Sequence, residues 1–111
     1  MTPRQTLIER VRAALARRPR VTERRMFGGT AFMVNGKMCI TARPGRLMCR
    51  IDPDLHDQAI ARRGVQTLKM NGRAYRGFVQ VREQVVASKR DLDYWVKLCL
   101  AFNKKAKASR K

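Results

Sequence analysis

The chain has 111 residues, enough for one domain with a single core and leaving no room for a second catalytic lobe. Its hydrophobic content of 44% is ordinary, whereas 26 Lys and Arg against 8 Asp and Glu leave a formal charge of +18. Self-repulsion on that scale calls for counterions or a polyanion, with arginine-rich codon usage as the competing explanation. Taking the five charges of residues 104–111 from +18 still leaves +13 on the body of the domain.

No run approaches the roughly 20 apolar residues of a membrane span, and the N-terminus enters a charged amphipathic segment without a signal-peptide core. A soluble, cytoplasmic protein is therefore expected, with no membrane partner. Cys39, Cys49 and Cys99 are odd in number and widely spaced within apolar patterns, which suits reduced thiols better than a disulfide framework.

In chain order, Thr2-Pro3-Arg4-Gln5 offers an N-cap and a first-turn proline, predicting a helix from about Pro3 to Arg17 that Pro19 ends. Leu7, Ile8, Val11, Ala14 and Leu15 share one side of it. Three short apolar runs follow between Arg24 and Asp52, punctuated by Gly28-Gly29, Asn35-Gly36 and Pro44-Gly45. Centring hairpins on the last two turns pairs Met33 with Met38, Ala31 with Ile40, Ala42 with Leu47, Ile40 with Cys49 and Met38 with Ile51. The predicted core face then holds Ala31, Met33, Met38, Ile40, Ala42, Leu47, Cys49 and Ile51. The opposite face holds Phe32, Val34, Lys37, Cys39, Thr41, Arg43, Arg46, Met48 and Arg50, and a slip of one residue exchanges the two sets.

Asp52-Pro53 opens a short helix that Gly64 stops. Val65 to Arg82 reads as two strands around Asn71-Gly72, and Ser88-Lys89-Arg90-Asp91 caps a last helix. The apolar arc of that helix, Leu92, Trp95, Val96, Leu98, Cys99, Leu100 and Phe102, exceeds one contact stripe, so it is expected either to pack against both the sheet and the first helix or to leave part of itself for a dimer interface. The expected fold is α+β with two layers, an antiparallel sheet of about five strands packed with helices in the order α-β-β-β-α-β-β-α. Residues 1–103 form the domain, and the Lys-rich tail 104–111 lacks the apolar residues that would order it.

Candidate chemistry is sparse. Gly28-Gly29 lacks the rest of a phosphate-loop pattern and reads as a bulge or tight strand entry. The register leaves Cys39 on the basic face near Lys37, where positive charge favours a thiolate, although a half-buried structural cysteine is the simpler reading. His56, the sole histidine, is expected on the surface of the short helix without a partner for a Cys/His relay. A zinc site would need Cys39, Cys49, Cys99 and His56 to converge, yet the register sends Cys39 and Cys49 to opposite faces. No metal, cofactor or small-molecule substrate is expected. Asp52, Asp54 and Asp57, like Asp91 and Asp93, read as helix-start charges.

The arginines are the strongest functional lead. Arg43, Arg46 and Arg50 converge on one sheet face with Lys37, and Arg24, Arg25, Arg73 and Arg76 extend it toward nucleic-acid phosphates. Phe27, Phe78, Trp95 and Phe102 are assigned to the core, which leaves Phe32 and Tyr75 as stacking platforms. A solvated basic face is the competing reading.

Met26-Phe27-Gly28-Gly29, Asn35-Gly36-Lys37-Met38, the run Leu47 to Asp52, Arg76-Gly77-Phe78-Val79 and the Trp95 helix resemble the N-terminal domain of the TfoX/Sxy family over nearly the whole chain. The resemblance implies a two-layer α+β fold. Full-length members regulate natural competence with a global transcription factor and carry a C-terminal helical domain for which this chain has no room. It brings no catalytic residues. The leading class is a non-enzymatic regulatory domain contacting nucleic-acid phosphates, the alternative is a protein-protein adaptor or homodimerising module, and an enzyme using Cys39 comes a distant third for want of a base and an orienting group.

Overall fold

The computed structural model describes residues 6–26 and 28–106. Helix α1 (Leu7–Ala14) begins after Thr6, whose Oγ1 accepts from the Glu9 N–H while Glu9 Oε1 accepts from the Thr6 N–H. The predicted cap at Thr2-Pro3 lies outside the described residues. Leu7, Val11 and Leu15 bury the inner side of this segment, each contributing about 1.5–3 kcal/mol of apolar burial.

Six strands form one antiparallel sheet in the spatial order β1-β2-β3-β4-β6-β5. They are β1 (Val21–Met26), β2 (Gly29–Val34), β3 (Lys37–Arg43), β4 (Arg46–Arg50), β5 (Val65–Met70) and β6 (Arg73–Arg82). The additional strand is β1. Its Thr22-Glu23-Arg24-Arg25 centre is exposed along an edge, so it carries no apolar alternation by which sequence alone would reveal it. Asn35 and Gly36 both have positive φ, as the tight hairpin turn requires, and Asn71 and Gly72 repeat it between β5 and β6.

The helices cover one face. α1 and α3 (Lys89–Asn103) pack on β2, β3 and β4, while a 3-10 turn (Pro53–Leu55) and α2 (His56–Ile60) cover β5 and β6. Asp52 caps the 3-10 turn by accepting from the Asp54 N–H, and Ser88 caps α3 by accepting from the Asp91 N–H. Leu92, Trp95, Val96 and Cys99 of α3 enter a core shared with Phe32, Ile40, Leu47, Cys49, Val79 and Val81. Leu98 and Leu100 pack partly buried against it, so the wide apolar arc is largely consumed inside the domain.

The predicted register between β3 and β4 holds where Ala42 faces Leu47 and Ile40 faces Cys49, but the expected pair Met38–Ile51 does not form and Met38 lies outside the core. Between β2 and β3 it holds only at the turn. Met33 faces Met38, but Ile40 faces Phe32 instead of Ala31, because Cys39 is one residue more on β3 than β2 provides. That β-bulge exchanges the two faces of β2. Phe32 and Val34 enter the helix-side core, while Ala31 and Met33 face the other way.

A second irregularity surrounds Arg76-Gly77-Phe78. Thr67 pairs with Val79 but Leu68 pairs with Tyr75, which leaves three β6 residues without partners on β5. Here the expected surface role of His56 is corrected. Its ring is 4% exposed, Nδ1 accepts from the Gly77 N–H at 2.9 Å, and Nε2 lies 2.8 Å from Thr67 Oγ1. The acceptor role of Nδ1 places the ring proton on Nε2, so His56 is a neutral latch joining α2 to both strands. Gly77 makes the approach feasible, with φ +90° and a virtual Cβ 3.2 Å from the Ile51 carbonyl oxygen. Gly77→Ala is expected to lose about 1 kcal/mol more stability in urea unfolding than Gly36→Ala, whose virtual Cβ meets nothing within 4 Å.

Candidate functional site

The sheet face away from the helices carries two adjacent cross-strand rows. One runs through every strand, as Arg24, Ala31, Thr41, Met48, Gln80 and Gln66. The next, two residues along, places Arg43, Arg46 and Arg82 side by side on β3, β4 and β6. Directly opposed residues in antiparallel strands have Cβ atoms about 5 Å apart, and like charges so placed repel. No carboxylate relieves them: among the described residues the ion pairs are Arg12–Glu23, Arg76–Asp57, Lys89–Asp93 and Lys105–Asp52. Glu83, next to Arg82 in the chain, joins no ion pair there. Arg46 is steered instead by a neutral acceptor, donating from Nη1 to Gln80 Oε1 at 3.1 Å.

Among the concavities of this face, two contain Arg46 of the arginine row. A groove of about 340 Å³ opens where Gly45 and Gly64 lack side chains, with Arg46, Arg82 and Gln84 along it. Beside it lies a cavity of about 110 Å³ lined by Thr41, Arg43, Arg46, Lys69 and Gln80, with Met48 and Leu68 as apolar walls. Thr41 is 0% exposed, and its Oγ1 has no hydrogen-bond partner. A buried hydroxyl without a partner is a standing destabilisation that native structures rarely keep.

The sequence-predicted basic surface is dispersed by the fold. Arg24, Arg43 and Arg46 share the open face. Arg25 alternates to the helix side of β1. Phe32 is fully buried and cannot stack on a base. Lys37 donates from Nζ to the Asn103 carbonyl oxygen at 3.0 Å, closing the end of α3. The Arg50 guanidinium sits over the rings of Phe78 and Phe102 at 5.5 and 5.7 Å, four residues along β4 from Arg46. Arg73 stands at the β5–β6 turn, and Arg76 is paired with Asp57 at 3.1 Å. Tyr75 is half-buried with its ring edge-on to Phe78.

Sequence reasoning missed Arg82, Lys69 and Gln80. The signal was present, since alternation in Val79-Gln80-Val81-Arg82 puts Gln80 and Arg82 opposite the two core valines.

The thiols also differ from expectation. The bulge turns Cys39 inward to 1% exposure, into the same core as Cys49 and Cys99 rather than the face opposite Cys49. Its hydrogen bond with Cys99, then burial, hold the Cys39 thiol far above its usual range. At Cys99 the bond with Cys39 acts downward, but the bond with Cys49 and burial outweigh it and raise the thiol. Neither of these two is poised as a thiolate, and Cys49 is buried in the same core. Among the described residues no group of three or more His, Cys, Asp or Glu side chains is arranged to hold a metal, and no helix is long and apolar enough to cross a membrane.

A family model described as the TfoX N-terminal domain matches residues 13–103, most of the chain. This chain belongs to that family. The match ends at the last residue of α3 and takes in the whole sheet, so both rows of the open face lie within the TfoX N-terminal domain. No curated protein and no solved structure matches the chain.

Two measurements check the geometry of this TfoX N-terminal domain. Thr41→Val keeps the shape and removes the orphan hydroxyl, so it is expected to raise stability by about 1 kcal/mol in denaturant unfolding. All three cysteines are expected to resist an aromatic disulfide reagent in the native protein and to react fully once denaturant is added.

Proposed function

We infer that this TfoX N-terminal domain is a non-enzymatic accessory module of a cytoplasmic, transcription-related assembly, contacting nucleic-acid phosphates through the open sheet face. The observation that carries this reading is the carboxylate-free row Arg43, Arg46 and Arg82 on adjacent strands. Three guanidiniums held within roughly 10 Å by strand spacing repel one another in the free protein. An anionic backbone laid across them turns that repulsion into forked, charge-assisted hydrogen bonds.

The chemistry of the face also suggests what kind of contact this is. No aromatic side chain stands in either row, so base stacking has no platform there. Gln66, Gln80 and Gln84 add neutral donors beside the groove. Such a surface grips phosphates and sugars with little sequence preference.

The adaptor reading draws less support. Phe32, Leu98 and Leu100 are consumed in or against the core, and Tyr94, at 41%, is the exposed large hydrophobic among the described residues. Even Tyr94 is partly shielded, with the Arg62 guanidinium 4.5 Å from its ring centre.

Fluorescence anisotropy with a random-sequence duplex tests the proposal. Affinity is expected to fall with salt at a log-log slope of about −0.9 per phosphate contact, near −3 if each arginine of the row makes one. The triple variant Arg43→Gln, Arg46→Gln, Arg82→Gln should lose about that much slope, while Arg25→Gln keeps it. Absence of binding at low salt, or an unchanged slope in the triple variant, refutes the proposal.

A further inference from the structure

The Thr41 cavity shares Arg43 and Arg46 with the arginine row and adds a fully buried polar group without a partner. We propose that it is a built seat for a single phosphate group, with Thr41 Oγ1 donating to one oxygen and Arg43, Arg46 and Lys69 supplying the charge. The inference rests on reading the open face as phosphate-binding, and it names the residue that distinguishes one ordered contact from diffuse attraction.

Size, charge and donor inventory agree. The volume of about 110 Å³ is roughly the share of three to four waters, which suits one oxyanion group with the remainder of its molecule outside. A trapped water would satisfy the Thr41 hydroxyl, but it is neutral and would leave the surrounding cations uncompensated. An oxyanion answers both deficits at once. Thr41 can donate its proton, Arg43 and Arg46 present planar forks, Lys69 adds a point charge, and the Gln80 carboxamide completes the polar rim.

Met48 and Leu68, both buried, contribute apolar lining, and a less polar surrounding strengthens each of these contacts relative to the open surface. The position of Thr41 gives its hydroxyl no packing role. It lies between Ala31 and Met48 in the row that crosses the whole sheet, where valine would fill the same space without an orphan donor.

The phosphate can come from a nucleic-acid backbone or from a free phosphate compound, and one experiment with two arms separates them. The full chain, labelled with nitrogen-15, is titrated with inorganic phosphate at low ionic strength while the amide signals of Thr41 and Gln80 are followed. Duplex binding is measured in parallel by anisotropy. Saturable shifts are expected in the native protein, about tenfold weaker binding in Thr41→Val, and near-native binding in Thr41→Ser, which keeps the hydroxyl. Absence of saturable shifts, or equal phosphate affinity in Thr41→Val, overturns the seat.

Saturation by phosphate without duplex binding would keep the seat for a free phosphate compound and refute the nucleic-acid reading. Duplex binding that is indifferent to Thr41→Val, with no phosphate response, would do the reverse.

Discussion

A single β-bulge at Cys39 is the constraint on which the rest of this domain depends. An unbulged Asn35-Gly36 hairpin would carry its alternation through β2, sending Ala31 and Met33 under the helices and Phe32 to solvent. One extra residue on β3 reverses that assignment. Phe32 then fills the core with Trp95, and small Ala31 lies beside Thr41 on the other face. The same extra residue lets Cys39 and Ile40, consecutive in the chain, both enter the core. The bulge thus settles which residues of β2 enter the core and turns Cys39 inward to join Cys49 and Cys99.

The groups that ordinarily advertise chemistry are absorbed by the fold. Cys39, Cys49 and Cys99 are all buried in one core, and both nitrogens of His56 are engaged in joining α2 to β5 and β6. Arg76, Lys37 and Arg50 are occupied by Asp57, by the end of α3 and by two aromatic rings. These are satisfied contacts with clear structural roles. Among the described residues, the one buried side-chain polar atom without a hydrogen-bond partner is the Thr41 hydroxyl, and it stands on the open face beside the opposed arginines.

That concentration has a physical meaning. Sequences usually agree with their fold at every level, and departures that reduce stability tend to gather where a ligand compensates them. Here two departures of different kinds adjoin each other. Like charges stand side by side on adjacent strands, and a donor is buried without an acceptor, and an anionic oxygen is the chemical group that would answer both. In a protein with a formal charge of +18, a phosphate-bearing ligand on this face would relieve local repulsion and part of the global imbalance together.

The sequence by itself determined the α+β class, the tight turns at Asn35-Gly36, Pro44-Gly45 and Asn71-Gly72, the Ser88 cap and the correct faces of β3 beyond the bulge and of β4. These features follow from local chemistry: turn residues set their own dihedrals, caps satisfy neighbouring donors, and period-two alternation is legible wherever strands are unbroken. Only the tertiary structure decided the faces of β2, the edge strand β1, the buried role of His56 and the convergence of Arg43, Arg46 and Arg82. Each depends on a partner distant in the chain. A bulge is invisible until a strand has something to be longer than, an exposed edge has no pattern of its own, and arginines on three strands become neighbours only once the register between those strands is set.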